Sequence, residues 1–172
     1  KHYPTLLPQS IELFDRDREK FVNYIVYPEN PIPLFGASII QKLQPFIGEA
    51  QAHLPVIKTN MPKKHIILSS ATSTAHKYPN IHTCTLRGLN PVLKLMYSDQ
   101  PLAFYGIPKL CLAHKMYGFP FLDTNGEYGI SNRDNYVITN KSIMELKLIA
   151  AFLRTKTALY IFETTRYRMK YL

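Results

Sequence analysis

The alternation of apolar and polar positions divides the chain into a helical start, a strand-rich middle and a helical end. At the start, Ser10 can cap a helix that runs through Tyr24. The charged residues 15–19 would then face water, opposite a rough apolar stripe of Ile11, Phe14, Phe21 and Ile25. A proline-rich segment follows, and a second short helix is predicted over Ala37–Phe46, where Pro45 should end it.

From Lys63 onward the pattern changes to short apolar or alternating runs separated by turn residues, which predict β-strands. The Asp123–Gly126 segment contains Asn-Gly, which favours a tight hairpin turn. The predicted strands are His65–Ser69, Thr83–Leu86, Leu93–Tyr97, Lys109–Ala113 and Tyr136–Thr139.

The end of the chain returns to helical spacing. Ser142 and Glu145 form a capping box, in which each side chain satisfies a free backbone N–H at the start of a helix. A last helix is predicted over Thr157–Lys170. Helices, then strands, then helices predict an α+β fold, with a small mixed sheet between N-terminal and C-terminal helices. We expect one compact domain, with a helical, proline-rich portion over 1–80 and a second portion over 81–172.

Positive charge is the first indication of function. The 172 residues include 21 Lys and Arg but 12 Asp and Glu, a formal charge of +9 with a pI near 9.5. The excess is +3 over residues 1–80 and +6 over residues 81–172. A polyanionic partner is indicated, with nucleic acid favoured over a membrane surface because no basic amphipathic helix is evident. A basic surface without a polyanionic partner stays open.

The cysteines and apolar runs bear on the compartment. Cys84 and Cys111 lie 27 residues apart without a CxxC motif, which indicates neither a zinc site nor a disulfide framework. We therefore expect a reducing, cytoplasmic setting. The longest apolar run, Leu148–Leu153, has six residues and cannot span a bilayer. The chain starts at a lysine and stops within a predicted helix, so we expect an excised fragment of a longer protein.

Common catalytic motifs are absent from the sequence. There is no phosphate-binding glycine loop, no HExxH and no GxSxG, and the six histidines are scattered. One pattern resembles a metal-dependent nuclease: Asp123 and, 22 residues later, Glu145 could hold Mg²⁺ while Lys147 activates water. The alternative is structural, with Glu145 in the capping box and Lys147 facing solvent on a helix.

Two basic segments could contact nucleic acid. In the segment 129–136, Arg133 could read guanine and the asparagines adenine, while Ser131 suits a phosphate. Alternatively, the asparagines serve turn chemistry and Arg133 pairs with Asp134 or Glu127. At the C-terminus, two of Arg166, Arg168 and Lys170 could clamp a phosphate, or all three could be solvated at a helix end.

The sequence over residues 80–172 resembles the target-recognition domain of TaqI-like adenine-specific DNA methyltransferases. The matching residues are Ile107-Pro-Lys-Leu-Cys-Leu112, then Asp123-x-x-Gly126-x-Tyr-Gly129-Ile-Ser131, Tyr136-Val-Ile138 and Phe152-Leu-Arg-Thr155. The final stretch, Thr165–Leu172, is similar to the tail of these domains. Residues before 80 match no family pattern.

The resemblance implies a DNA-binding domain that recognises a duplex target and catalyses nothing itself. The family's S-adenosylmethionine loop and its Asn-Pro-Pro-Tyr/Phe loop are missing; Asn30 and Asn90 precede a single proline each. We therefore expect no cofactor in this chain and no metal. Double-stranded DNA and a covalently linked catalytic domain, which would bind S-adenosylmethionine, are the expected partners, in the cytoplasm or a viral replication compartment.

We expect DNA contacts from ten residues. A protein-interaction module whose positive charge is incidental remains a further alternative to both the DNA-binding and the nuclease interpretations. The ten are Arg87, Lys109, Lys115, Ser131, Asn132, Arg133, Asn135, Arg166, Arg168 and Lys170.

Overall fold

A computed structural model describes residues 8–27, 32–46, 54–87, 90–113 and 120–165; within these ranges, nothing is described of the side chains of residues 85–87. Contacts divide the chain into two compact units. We call Lys1–His53 with Lys156–Leu172 the hairpin unit, and Leu54–Thr155 the sandwich unit. The division expected at residue 80 does not coincide with these units, because residue 80 lies inside a strand.

The hairpin unit contains an antiparallel pair of strands and two helices. Strands β1 (Gln9–Asp15) and β2 (Lys20–Val26) pair along their whole length. Helix α1 (Ala37–Leu43) continues as a 3₁₀ turn over Gln44–Phe46, and α3 spans Lys156–Thr165. The buried centre of the unit consists of Tyr24, Ala37 and Ile40.

The helix expected over residues 10–24 is wrong, because these residues form the β-hairpin. Ile11 and Leu13 on β1, and Val22 and Tyr24 on β2, face the unit's core at every second position. Of the charged residues 15–19, expected on a solvent-facing helix surface, Asp15 instead ends β1 and is buried, and residues 16–19 make the turn between the strands. The second expected helix, Ala37–Phe46, is confirmed.

The sandwich unit consists of two four-stranded sheets and one helix. One sheet has the strand order β3-β10-β7-β8, and the other has the order β4-β6-β5-β9. Among the described strand pairs of both sheets, β5–β9 is parallel and the others are antiparallel. Helix α2 is Ile143–Leu153. The strands are β3 (Ile57–Lys58), β4 (Leu68–Ser69), β5 (Tyr78–Arg87), β6 (Asn90–Ser98), β7 (Lys109–Ala113), β8 (Phe121–Asp123), β9 (Gly129–Ile130) and β10 (Asn135–Ile138).

The sheet with β7 at its centre is buried on both faces. Leu110, Ile138 and Leu146 form one cluster beneath α2. On the opposite face, Cys111 and Val137 pack with Ile81, Ile130 and partly buried residues of the second sheet. Alternation along each strand sends successive side chains into these two clusters, which explains why all five residues of β7 are buried.

The α+β fold class and the capping box at Ser142 are confirmed, and four of the five expected strands lie in β5, β6, β7 and β10; the fifth, expected over His65–Ser69, is a strand only at Leu68–Ser69. The Asp123–Gly126 turn forms with Gly126 at a φ of 71°, but it joins strands of different sheets and so is not a hairpin. The last helix ends the described region at Thr165, so its expected extension to Lys170 lies outside the described residues. Among the described helices, none is long and apolar enough to cross a membrane.

Burial of the two cysteines leads to a prediction about thiol reactivity. Burial raises the pKa of Cys84 to about 11 and that of Cys111 to about 12. Because the thiolate is the reactive form, we expect neither thiol of the folded chain to react with Ellman's reagent at pH 8. Both should react after unfolding in urea. Rapid reaction of a native thiol would contradict this burial.

Candidate nucleic-acid interface

Chain direction brings several strand ends to one end of the sandwich unit. Strands β3 and β7 both run antiparallel to β10, so the last residues of β3 and β7 lie beside the start of β10. The segment Ser131–Asn135, which we call the Arg133 loop, crosses here from β9 in one sheet to β10 in the other. Clusters of loops on a rigid sheet scaffold are where binding residues commonly lie.

The Arg133 loop is anchored at both ends to β5. The backbone N–H of Ser131 donates to the carbonyl of Ile81 at 3.0 Å. The Asn135 side-chain amide donates to the carbonyl of His82 at 3.1 Å. The register of β5 against β6 shifts between Ile81 and Thr83, so His82 lies in a β-bulge. Bulges occur next to functional sites, where they redirect a strand or a side chain.

Thr59, directly after β3, fixes the middle of the same loop. Its hydroxyl donates to the carbonyl of Asn132 at 2.6 Å and accepts from the backbone N–H of Asn135 at 3.3 Å. Its own N–H donates to the carbonyl of Asn135 at 3.0 Å. Thr59 was not among the expected site residues, because a threonine 76 positions before its partner carries no local sequence signal for this contact.

Arg133 is exposed at the centre of this anchored loop. Asn132, which is half-buried, accepts a weak 3.4 Å hydrogen bond from the N–H of Asp134 through its side-chain oxygen, as in an Asx turn. Among the described side chains, Arg133 makes no ion pair, so the alternative pairing with Asp134 or Glu127 is not observed. The guanidinium is thus accessible on a backbone held by Thr59 and β5.

Three of the ten residues expected to contact DNA are buried, which corrects their assignment. Lys109, Ser131 and Asn135 are each 0% exposed. Ser131 and Asn135 instead attach the Arg133 loop to β5 through the hydrogen bonds above. Their role is to shape the loop, and Arg133 and Asn132 are the members of the segment that remain accessible.

Five other expected residues are only partly described or not described. Arg87 is the last residue of β5, but its side chain lies outside the described part of the structure. Lys115, Arg166, Arg168 and Lys170 also lie outside the described residues. Their expected DNA contacts remain predictions.

The buried Lys109 organises the opposite end of the sandwich unit. Its ammonium donates to the Asp123 carboxylate at 2.5 Å and to the carbonyls of Phe104 and Ile107 at 3.1 and 3.2 Å. Asp123 also accepts from the backbone N–H groups of Glu127 and Tyr128. The Pro-Lys and Asp-x-x-Gly-x-Tyr residues that carry the family resemblance therefore build a buried network that holds β7, β8 and two loops together.

Gly126 completes this network for a steric reason. It has a positive φ, and a Cβ at this position would lie 2.4 Å from backbone atoms of Gly106 and Ile107. Only glycine fits such a close approach of two backbone segments. The N–H of Gly106 in turn donates to the carbonyl of Gly126 at 2.8 Å.

The residues of the nuclease alternative have structural roles. Both carboxylate oxygens of Asp123 accept hydrogen bonds within the network. Glu145 accepts from the N–H and hydroxyl of Ser142, and these bonds lower the pKa of its carboxyl. Lys147 is exposed on α2. No group of three His, Cys, Asp or Glu side chains in the described part of the chain is placed to hold a metal ion.

One of the two Asn-Pro pairs that were compared with the family's catalytic loop lies in a described part of the chain. Asn90 and Pro91 begin strand β6, where they pair with Arg87 and Leu86 instead of forming a catalytic loop. Asn30 lies outside the described residues.

The excess positive charge belongs mainly to the sandwich unit. This unit contains twelve Lys and Arg residues and five Asp and Glu residues, a formal charge of +7 out of the +9 of the whole chain. With Asp123 neutralised by Lys109, the surface of the unit is strongly basic. Such a surface attracts polyanions.

Comparison of the chain with protein-family models, curated proteins and solved structures finds no match.

The two ion pairs among the described residues of the sandwich unit allow a matched prediction of stability. Lys109→Met should lower the free energy of unfolding by about 3–5 kcal/mol, because it leaves the Asp123 carboxylate buried without its cation. Lys141→Met, which removes the partly exposed lysine that pairs with exposed Glu145 at 3.4 Å, should cost at most about 1 kcal/mol. Urea unfolding monitored by circular dichroism measures both. Equal losses in the two variants would contradict the buried network.

Proposed function

We propose that this chain is a duplex-DNA target-recognition module, as its resemblance to TaqI-like methyltransferases implies, and that the Arg133 loop reads bases. In this proposal the chain binds DNA without catalysing a reaction, and a linked catalytic domain supplies S-adenosylmethionine and methyl transfer. The recognition domain would select the site, while the catalytic domain would extrude the target base.

The observation that carries the proposal is the contrast between Arg133 and its neighbours. The residues on both sides of it, Ser131 and Asn135, are fully buried and hydrogen-bonded, yet Arg133 itself is exposed. A flexible arginine would lose conformational freedom on binding, whereas here the backbone is already ordered before DNA arrives. Preorganised presentation of a single guanidinium is suited to a specific contact.

The chemistry of the guanidinium supports base recognition. Its planar fork of donors matches the O6 and N7 acceptors of guanine in the major groove. Neighbouring Asn132 is half-buried, and its side-chain oxygen is engaged with Asp134, so Arg133 is the stronger candidate for a base contact. The charge of +7 on the sandwich unit would supply sequence-independent attraction to phosphates.

The first test replaces Arg133. Wild-type chain is used to select preferred duplexes from a random-sequence pool, and affinities for a selected and a scrambled duplex are then measured by fluorescence anisotropy. Arg133→Ala should lose about 1–3 kcal/mol on the selected duplex and much less on the scrambled one, because a base contact carries sequence information.

Lys147→Ala is the matched control, since it removes an exposed cation from α2 in the same unit. It should not alter the preference between the two duplexes. An equal loss on both duplexes with Arg133→Ala would remove this residue from the base-reading role. Absence of duplex binding by the wild-type chain would overturn the proposed function.

A second test loosens the loop without changing charge. Thr59→Val removes the hydroxyl that fixes Asn132 and Asn135, and leaves buried backbone groups without partners. We expect a loss of about 1–3 kcal/mol in stability and a reduced preference for the selected duplex, with the salt dependence of binding unchanged. Thr157→Val, at an exposed position of α3, is the control. Full retention of preference by Thr59→Val would show that loop order is unimportant.

A further inference from the structure

Strands β5 and β6 continue beyond the strand that flanks them. β9 pairs with β5 only at Asn80 and Ile81, whereas β5 and β6 remain paired as far as Arg87 and Asn90. From Thr83 onward, the described structure has no strand on the β9 side of β5. Residues 83–87 and 90–94 thus form a two-stranded extension, which we call the ribbon. It begins one residue after His82, whose carbonyl binds Asn135 of the Arg133 loop.

The two faces of the ribbon differ in composition. Cys84 and Leu93 form a cross-strand pair on the core side, where Cys84 is buried and Leu93 packs against the core. The neighbouring pair, Thr83 and Lys94, lies on the opposite face, and Lys94 is exposed. By alternation, the described outward positions along the ribbon are Thr83, Asn90, Val92 and Lys94.

This outward face has the charge and hydrogen-bonding chemistry of a DNA-reading surface. The whole of β5 and β6, from Tyr78 to Ser98, contains no Asp or Glu. Lys94 and Asn90 are exposed, Thr83 is half-buried, and Val92 is 40% exposed, which leaves an apolar group available for a thymine methyl.

The dimensions of the ribbon suit one groove. Each strand of the ribbon has five residues and spans roughly 13 Å at about 3.3 Å per residue. This length is greater than the roughly 8.5 Å depth of the B-DNA major groove. The major groove, about 12 Å wide, admits a two-stranded ribbon, and the minor groove, about 6 Å wide, does not. The major groove of A-form RNA is too narrow for side chains to read.

We propose that the β5–β6 ribbon is a second DNA-binding element, which enters the major groove of duplex DNA with Asn90 and Lys94 facing the bases or adjoining phosphates. This inference rests on the proposed function of the Arg133 loop and adds the element and the groove. The ribbon and the loop are joined through His82, so both would engage the same segment of duplex.

The experiment combines ribbon variants with a blocked groove. Affinities of wild type, Asn90→Ala, Lys94→Gln and Lys77→Gln are measured on the duplex selected with wild type. Lys77 is the matched control, since it is an exposed lysine directly before β5, at the other end of the same pair of strands. The duplex is used unmodified, with glucosylated 5-hydroxymethylcytosine to fill the major groove, and with netropsin to fill the minor groove.

We expect Asn90→Ala and Lys94→Gln each to weaken binding to the unmodified duplex by about fivefold or more, the scale of one lost contact, and Lys77→Gln to change it less than twofold. Glucosylation should weaken wild-type binding and remove most of the difference between wild type and the ribbon variants. Netropsin should preserve that difference, and an RNA duplex of the same sequence should not show it.

The outcomes separate the two proposals. If wild type binds and prefers the selected duplex but the ribbon variants behave like Lys77→Gln, the ribbon assignment is overturned while the Arg133 proposal stands. If glucosylation has no effect on wild-type binding, both assignments fail, because both place side chains in the major groove. If wild type binds no duplex, the proposed function fails. Circular dichroism of each variant confirms that a loss of affinity is not a loss of folding.

Discussion

The sandwich unit depends on one buried charge pair, Lys109 with Asp123. A buried ammonium is costly unless it is paired and fully hydrogen-bonded. Lys109 meets both conditions, because the carboxylate and the carbonyls of Phe104 and Ile107 receive its donors. Asp123 in turn fixes the backbone of the turn that leads into β9. The position of β9, and hence the start of the Arg133 loop, follows from this network.

At its other end, the same unit must satisfy the backbone polar groups of a connection between its two sheets. A connection from one sheet to another carries backbone groups that no strand satisfies. Here Thr59, Ser131 and Asn135 satisfy those groups with short side chains, and the only long side chain of the loop is left outside. The connection is held in place because the polar residues around Arg133 bind each other and β5. Arg133 is exposed for the same reason.

The sequence allowed the elements of the sandwich unit to be predicted better than its site. Continuous apolar runs predicted β7 correctly, and a local capping box predicted the start of α2. The sequence pattern did not reveal the hairpin over residues 9–26, because its charged residues resembled the solvent-facing side of a helix. Lys109 was expected to contact DNA because the sequence shows its positive charge. Its buried partner, Asp123, lies 14 positions later, and the two side chains meet because β7 pairs with β8.

In the proposed function, DNA contacts come from two elements of the sandwich unit, the Arg133 loop and the ribbon. A single arginine would select a base at one position, and a ribbon without acidic residues would follow a groove over several base pairs. The bulge at His82 is where the two meet, since its carbonyl anchors the Arg133 loop while its strand continues as the ribbon. Without this bulge, the register of β5 against β6 would move by one residue beyond Ile81, so that Thr83 would lie opposite Leu93 on the core side and Cys84 would lie opposite Val92 on the outward side. The register at His82 therefore determines both which side chains could meet DNA and how the loop beside them is held.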